Sequence, residues 1–160
     1  MCPFKCVIIG GGPERDDIDA AVKGAGLGGV VCLMGNVAPG EVYKYYLISD
    51  VFVFASKSET QGMVLLEAMA GGCPVVAVSS GGVNDVVSHE LSGFVTEEDE
   101  AEWAGRVARL ITDDATRNEM SAAAKKSVAG YSLQNMASAA VNSYDEAIKN
   151  YRRGKRGRYA

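Results

Sequence analysis

Apolar residues gather in short runs of four or five along the first 96 residues, and each run is followed by a polar or glycine-rich turn and then a helical pattern. Lys5-Cys6-Val7-Ile8-Ile9 reads as a buried strand that stops at Gly10-Gly11-Gly12-Pro13. Residues 14–26 read as a helix, ended by Gly26 and Gly28-Gly29. Val30 to Met34 is a second strand, closed by Gly35-Asn36. Pro39-Gly40 opens a helix through about Ser49, and Val51 to Ala55 is a third strand. A helix over 63–71, a strand over 74–78, a short helix over 83–89 and a strand over 93–96 follow. Beyond residue 96 the pattern is helical only. The acidic run Glu97 to Glu102 starts a helix of about fourteen residues, with Trp103, Val107, Leu110 and Ile111 at helical spacing. Helices over about 114–128 and 132–151 complete the chain, the last opened by Ser132 as N-cap. Such alternation predicts an α/β fold: a Rossmann-like parallel sheet with helices on both faces, ending in a helical segment.

In sheets of this kind ligands bind at the carboxyl ends of the strands. The loops there are 10–13, 35–38, 55–62 and 79–84, all rich in Gly, Ser or Asn. The segment around 59–67 carries the most chemistry. Glu59 and Glu67 straddle the start of the 63–71 helix, which is apolar nearly all round and has Glu67 as its only charge. That pattern predicts a buried helix and a buried carboxylate, which is costly without a hydrogen-bond partner. No cation adjoins it in sequence, so a hydroxyl-bearing ligand is the expected partner. A helix starting near Gly62 leaves the amides of Gly62, Met63, Val64 and Leu65 without intrahelical acceptors, an arrangement that favours an anion such as phosphate. A ribose diol matches Glu67, and a second polyol such as a hexose matches Glu59. The competing reading makes Glu59 an exposed loop acid or helix cap and Glu67 a core acid bonded to backbone.

The glycines at 10–12 fall short of a dinucleotide fingerprint. Position 15, where the third glycine belongs, is Arg15, and Leu33-Met34-Gly35-Asn36 supplies no acid after the second strand.

Phe54-Ala55-Ser56, Glu59, Gly62, Glu67-Ala68-Met69-Ala70 and Pro74-Val75-Val76 together closely resemble the retaining glycosyltransferases of the group 1/family 4 class, which have the GT-B fold. Val7 to Pro13, Val31 to Val37, Ser80-Gly81-Gly82 and Gly93-Phe94-Val95 match in order. The resemblance implies the carboxyl-terminal, donor-binding half of that fold, transferring a hexose from a nucleotide sugar to an acceptor. It implies that catalytic Glu59 contacts the hexose. Backbone around Gln61, Gly62, Met63 and Val64 then holds sugar hydroxyls and diphosphate, Glu67 holds the ribose, and the turn Gly35-Asn36-Val37 lies by the base. The donor is a UDP- or GDP-sugar, and neither metal nor other cofactor is expected. Ala55-Ser56 and Glu59-Thr60-Gln61 depart from the commoner Pro-Ser and Glu-Gly-Phe, so the acceptor stays open.

The family's carboxyl-terminal domain begins one strand and helix earlier, with an Arg and a Lys that bind the diphosphate. On that comparison the first strand and the whole amino-terminal domain are missing. A partner chain or the missing domain must supply the acceptor site, and this polypeptide alone is expected to transfer little or nothing. The missing strand is expected to leave an unpaired sheet edge through which copies could pair. A non-catalytic nucleotide-sugar binding or interaction module is the alternative. An epimerase on the same fold fits the terminal helices and the two-Glu spacing less well.

Composition adds boundaries. The 160 residues suit one domain, 1–151, with a basic tail over 152–160. Net charge is −4, but the last nine residues carry five bases and no acid, so residues 1–151 sum to −9. The acidic body argues against nucleic acid. The tail reads as a frayed end, or as a contact with anionic lipid headgroups at the inner face of a membrane, at about 1 kcal/mol per base. No apolar run reaches the roughly 18–20 residues that cross a bilayer, and no leader pattern opens the chain, so a cytoplasmic location is expected. Cys2, Cys6, Cys32 and Cys73 lack the spacing of a zinc or redox pair and read as small hydrophobes. His89, the only histidine, reads as a surface residue.

Overall fold

A computed structural model describes residues 3–156. The elements run β1 (Cys6–Ile9), α1 (Arg15–Gly24), β2 (Val31–Gly35), α2 (Pro39–Ile48), β3 (Phe52–Phe54), α3 (Met63–Gly71), β4 (Val75–Val78), α4 (Gly81–Val86) and β5 (Gly93–Thr96). Then come α5 (Glu100–Thr112), α6 (Asp114–Val128), a 3-10 turn (Ala129–Tyr131) and α7 (Leu133–Arg156). Every strand pairing is parallel, as the strand–helix alternation requires. The strands form two sheets, β1–β2 and β3–β4–β5, rather than one. β1 and β2 pair from Cys6 opposite Val31, with a register shift between Ile8 and Ile9. Phe52 lies opposite Val75, and Val75 in turn opposite Gly93.

β4 is the axis of the core, because it alone has a strand on each side and helices on each face. Its period-2 alternation splits the apolar interior in two. Val75 and Ala77 pack with Leu65 and Met69 of α3, Val83 of α4 and Ala124 of α6. Val76 packs on the other face with Phe94, Leu110 and Met120, and Trp103 and Val107 of α5 close over them. The guanidinium carbons of Arg106 and Arg109 sit 4.9 and 5.4 Å from the Phe94 ring centre. A third cluster joins Tyr46 of α2 to Ala68 and Cys73, with Phe52 edge-on to the Tyr46 ring. Burial pushes the Cys73 thiol up to about 11, so it stays protonated, donating to the Tyr46 carbonyl at 3.1 Å.

The sequence pattern predicts one sheet covered on both faces, and here the structure differs. No described residue before Tyr46 is buried. The apolar side chains of β1, α1 and β2 join none of the buried clusters. The sequence leads one to expect one unpaired sheet edge; in the structure β1 and β3 each have a strand on one side only.

Helix ends follow side-chain chemistry. The Asp99 carboxylate accepts from the Ala101 and Glu102 amides at 2.9 Å, so α5 begins at Glu100 and not at the start of the acidic run. Asp113 caps α6 through the Thr116 amide at 3.0 Å. The last helix continues through Arg156, and α7 is exposed along Gln134–Arg152. Arg158 and the other residues of 157–160 lie outside the described part, as does Cys2. Cys6 and Cys32 are half-buried, and His89 is exposed, its Nδ1 accepting from the Val95 amide. Among the described residues no helix is long and apolar enough to cross a membrane.

The tightest backbone approach in the core is at Gly93. A Cβ there would lie 2.9 Å from the Val75 nitrogen and 3.0 Å from its carbonyl carbon. Backbone paired in a parallel ladder cannot retreat, so Gly93→Ala is expected to cost roughly 1–3 kcal/mol. Urea denaturation should show a lower midpoint at unchanged slope.

Candidate functional site

The loop after β3 turns back on itself before α3 begins, and Glu59 is what turns it. Its Oε1 accepts from three successive amides: Thr60 at 3.1 Å, Gln61 at 3.0 Å and Gly62 at 2.8 Å. The Gln61 amide, then that of Gly62, hold the carboxyl below the usual range, with that of Thr60 adding less and slight desolvation opposing. Gly62 then takes φ +65°, a left-handed conformation that favours glycine, and its carbonyl accepts from Leu65 and Leu66 to start the helix.

A second loop pins this one. The Gly82 amide at the start of α4 donates to the Glu59 carbonyl at 3.0 Å. A Cβ on Gly82 would lie 2.8 Å from the Thr60 carbonyl carbon, and one on Gly62 would lie 2.7 Å from the Gly82 carbonyl oxygen. The two glycines therefore allow the loops after β3 and β4 to touch backbone to backbone. Ser80 beside them has a buried hydroxyl with no partner.

The expected free amides are thus partly occupied. Gly62, and Gln61 beside it, give theirs to the protein's own carboxylate, which is the cap role, and Leu65, also expected free, gives its amide to the Gly62 carbonyl. Met63 and Val64 have no acceptor among the described residues, and neither has Glu59 Oε2 a donor.

Glu67 is not the buried acid that the apolar helix predicts. It is exposed, in line with Met63 and Ala70 along an uncovered side of α3. The helix buries Leu65, Ala68 and Met69 and leaves that stripe open, because α2 covers only part of its outer side. Glu67 borders a groove of about 350 Å³ between α2 and α3, whose other walls include Pro39, Val42, Tyr43 and Tyr46. The Tyr46 hydroxyl makes a long contact to Glu67 Oε2 at 3.5 Å. Burial first, then the Glu67 charge, push the Tyr46 hydroxyl up to about 12, so it stays a donor.

Gly35, Asn36 and Val37 cluster with the loop after β1. The Gly10 amide donates to the Gly35 carbonyl at 2.8 Å, and a Cβ on Gly11 would lie 2.8 Å from Asn36 Oδ1. Arg15 reaches the same turn, its Nη2 donating to the Leu33 carbonyl at 3.2 Å. Arg15 and Tyr46 are the residues that sequence reasoning missed. Arg15 carried a signal, as the cation standing where a dinucleotide loop would have glycine; Tyr46 carried none. Lys57, the cation nearest the loop in sequence, is paired with Glu98 at 2.7 Å. Among the described residues no cluster of three His, Cys, Asp or Glu could hold a metal.

Residues 3–127 match the family model described as glycosyl transferases group 1. The chain belongs to that family. A D-inositol 3-phosphate glycosyltransferase from Arthrobacter sp. is 33% identical over 88% of this chain and 34% of its own length. The chain spans about a third of the length of the curated relatives it matches. Among solved structures, TarM of S. aureus superposes with a TM-score of 0.76 at 25% identity, over 86% of this chain and 28% of TarM; one of its structures is a complex with fondaparinux, alpha-GlcNAc-glycerol and UDP. The C-terminal domain of LpcC, a group 1 family protein of Francisella tularensis, superposes with a TM-score of 0.73 at 27% identity, over 81% of this chain and 70% of that domain. These matches fix the fold as that of the GT-B glycosyltransferases.

Glu59 also makes stability depend on pH. Folding lowers its carboxyl pKa from 4.5, so its contribution is complete above that value and is lost as pH falls through the lower folded one. Glu59→Gln is therefore expected to be less stable than the parent at pH 7, with the gap closing as acid protonates the parent. Urea midpoints across a pH series check this.

Proposed function

We propose that this chain is the donor-binding half of a retaining glycosyltransferase that moves a hexose from a UDP- or GDP-sugar to an acceptor. The observation that carries the reading is the arrangement along α3. A backbone-fixed carboxylate with one oxygen uncommitted, two open amides at the helix start and an exposed carboxylate about one turn on follow one another along a single element. That is the sequence of groups a hexose, a diphosphate and a ribose require.

Glu59 Oε2 accepts from hexose hydroxyls while Oε1 stays tied to the backbone, so the acid that orients the sugar needs little reorganisation on binding. Met63 and Val64 amides, at the positive end of the helix dipole, face the diphosphate, with Gln61 and Gly62 setting the loop that presents them. Glu67 takes the ribose diol, and the groove beside it gives the nucleoside an apolar wall. Gly35, Asn36 and Val37 lie toward the base, with Arg15 as the nearby cation. The UDP complex of TarM supports the uridine form of the donor. In transfer the bond from the anomeric carbon to the diphosphate oxygen breaks, and one to the acceptor oxygen forms on the same face, the acceptor's proton passing to the departing diphosphate. No metal is needed in this reading, because the helix-tip amides and dipole meet part of the leaving charge and the cations implied upstream by the resemblance meet the rest. The acceptor site belongs to polypeptide beyond these residues, so the 160-residue chain binds donor weakly and turns over little or none.

Calorimetry with UDP, UDP-sugars, GDP-sugars and ADP-sugars tests the assignment. Glu67→Ala should weaken nucleotide binding by roughly tenfold or more, the worth of a charge-assisted hydrogen bond. Glu59→Ala should leave free UDP binding near the parent value and erase the preference for the sugar-bearing donor. Parent-like binding by both variants would show the roles to be wrong.

A further inference from the structure

Of the three tyrosines on α2, Tyr46 alone is buried. It is held from several sides. Its ring stands edge-on to Phe52, with the ring centres 5.6 Å apart. Its carbonyl accepts from the Cys73 thiol. Its Cβ meets Gly71 of α3, where an added methyl carbon would lie 2.7 Å away. Gly71 stands one turn beyond Glu67, on the same side of the helix. A glycine there lets α2 come close, and the Tyr46 hydroxyl ends 3.5 Å from Glu67 Oε2.

Glu67 has no such hold of its own. α3 carries no cation, and Lys44, the cation of α2, is paired with Glu41. Among the described residues the Tyr46 hydroxyl is the only hydrogen-bonding group at the Glu67 carboxylate. Burial and the neighbouring charge keep the phenol protonated, so it serves as a donor. A glutamate on an open helix side rotates freely, and stilling it on binding costs free energy. A donor fixed by packing removes part of that cost in advance. It engages Oε2 and leaves Oε1 uncommitted, much as the amides of the 59–62 loop engage one oxygen of Glu59 and leave the other.

We propose that Tyr46 is a positioning residue for Glu67, and that its hydroxyl sets a preference for ribonucleotides over 2′-deoxyribonucleotides. This rests on Glu67 taking the ribose diol. Ribose presents two hydroxyl donors there, and deoxyribose one. A mobile carboxylate turns to make the most of a single donor. One held at Oε2 cannot, so a missing 2′-hydroxyl costs its full bond. Carboxylate oxygens accept more than one bond, so Oε2 serves the phenol and the diol together. The contact is long without ligand and shortens as the diol fixes the carboxylate. The ring of Tyr46 fills space that a phenylalanine would fill as well. Its hydroxyl is therefore the part that acts on the nucleoside, and it acts through Glu67.

NMR titration of the 160-residue chain with UDP and with 2′-deoxy-UDP tests it. The parent should bind UDP roughly tenfold more tightly, the worth of one charge-assisted hydrogen bond. Tyr46→Phe keeps the ring against Phe52 and Gly71 and should narrow that preference to about threefold, the cost of stilling one side chain having returned. In Glu67→Ala the preference should vanish, and adding Tyr46→Phe should change it no further. A parent-like preference in Tyr46→Phe overturns the proposal and leaves the role of Glu67 standing. An equal fall for both nucleotides also overturns it, since a merely structural tyrosine would give that result. A parent without any preference removes Glu67 from the ribose, and the proposal with it. The unaltered chain gives a second measure, should Tyr46→Phe fail to fold. Carbon-13 relaxation should show the Glu67 γ-methylene more ordered than that of Glu119, exposed on α6; equal mobility overturns the proposal.

Discussion

Two glycines in contact hold this molecule's site together. Gly62 ends the loop after β3, and Gly82 opens the helix after β4. Neither has space for a methyl group, because each lies against the backbone of the other's loop. That approach sets the start of α3 against the loop at the end of β4. Glu59 then closes the loop from within by tying three amides to one oxygen. The result is a helix tip whose position depends on backbone packing and not on long side chains. A loop built this way is ordered on folding, so little of its conformational entropy remains to be lost later.

The same segment shows how one residue type serves two ends. Glu59 and Glu67 have identical side chains and opposite surroundings. The first is bound by its own backbone, which lowers its pKa and leaves one oxygen uncommitted. The second stands on the open side of α3, beside a phenol that burial keeps protonated. Their difference comes from whether backbone amides or a groove lies next to them.

Stability is distributed unevenly. The interior is built around β4, with α3 and α4 on one face and α5 on the other. Of residues 3–45, Val42 alone packs against a buried cluster, that of Tyr46, Ala68 and Cys73. Local opening follows buried contact, so β1, α1 and β2, like the exposed α7, open more readily than β4 and the helices packed on it. The turn at Gly35–Val37 belongs to that part, joined to the loop after β1 through the Gly10 amide.

Local pattern was enough to read the element order. Four- and five-residue apolar runs, glycine stops and acidic caps are encoded within a few positions, so β1 to β5 and the terminal helices were legible with boundaries off by a few residues. The spacing of Glu59, Gly62 and Glu67 was legible too, and it named the family that residues 3–127 match. Tertiary structure alone decided the rest. An apolar helix does not say which of its sides will meet a partner, so Glu67 was read as buried when it is exposed. A loop's amides look free until the fold shows that a nearby carboxylate has reached them first, as Glu59 does. Strand runs do not encode their neighbours, since parallel pairing is set by crossovers between distant segments. That is why the break between β1 and β3 appears only when the sheet is seen whole.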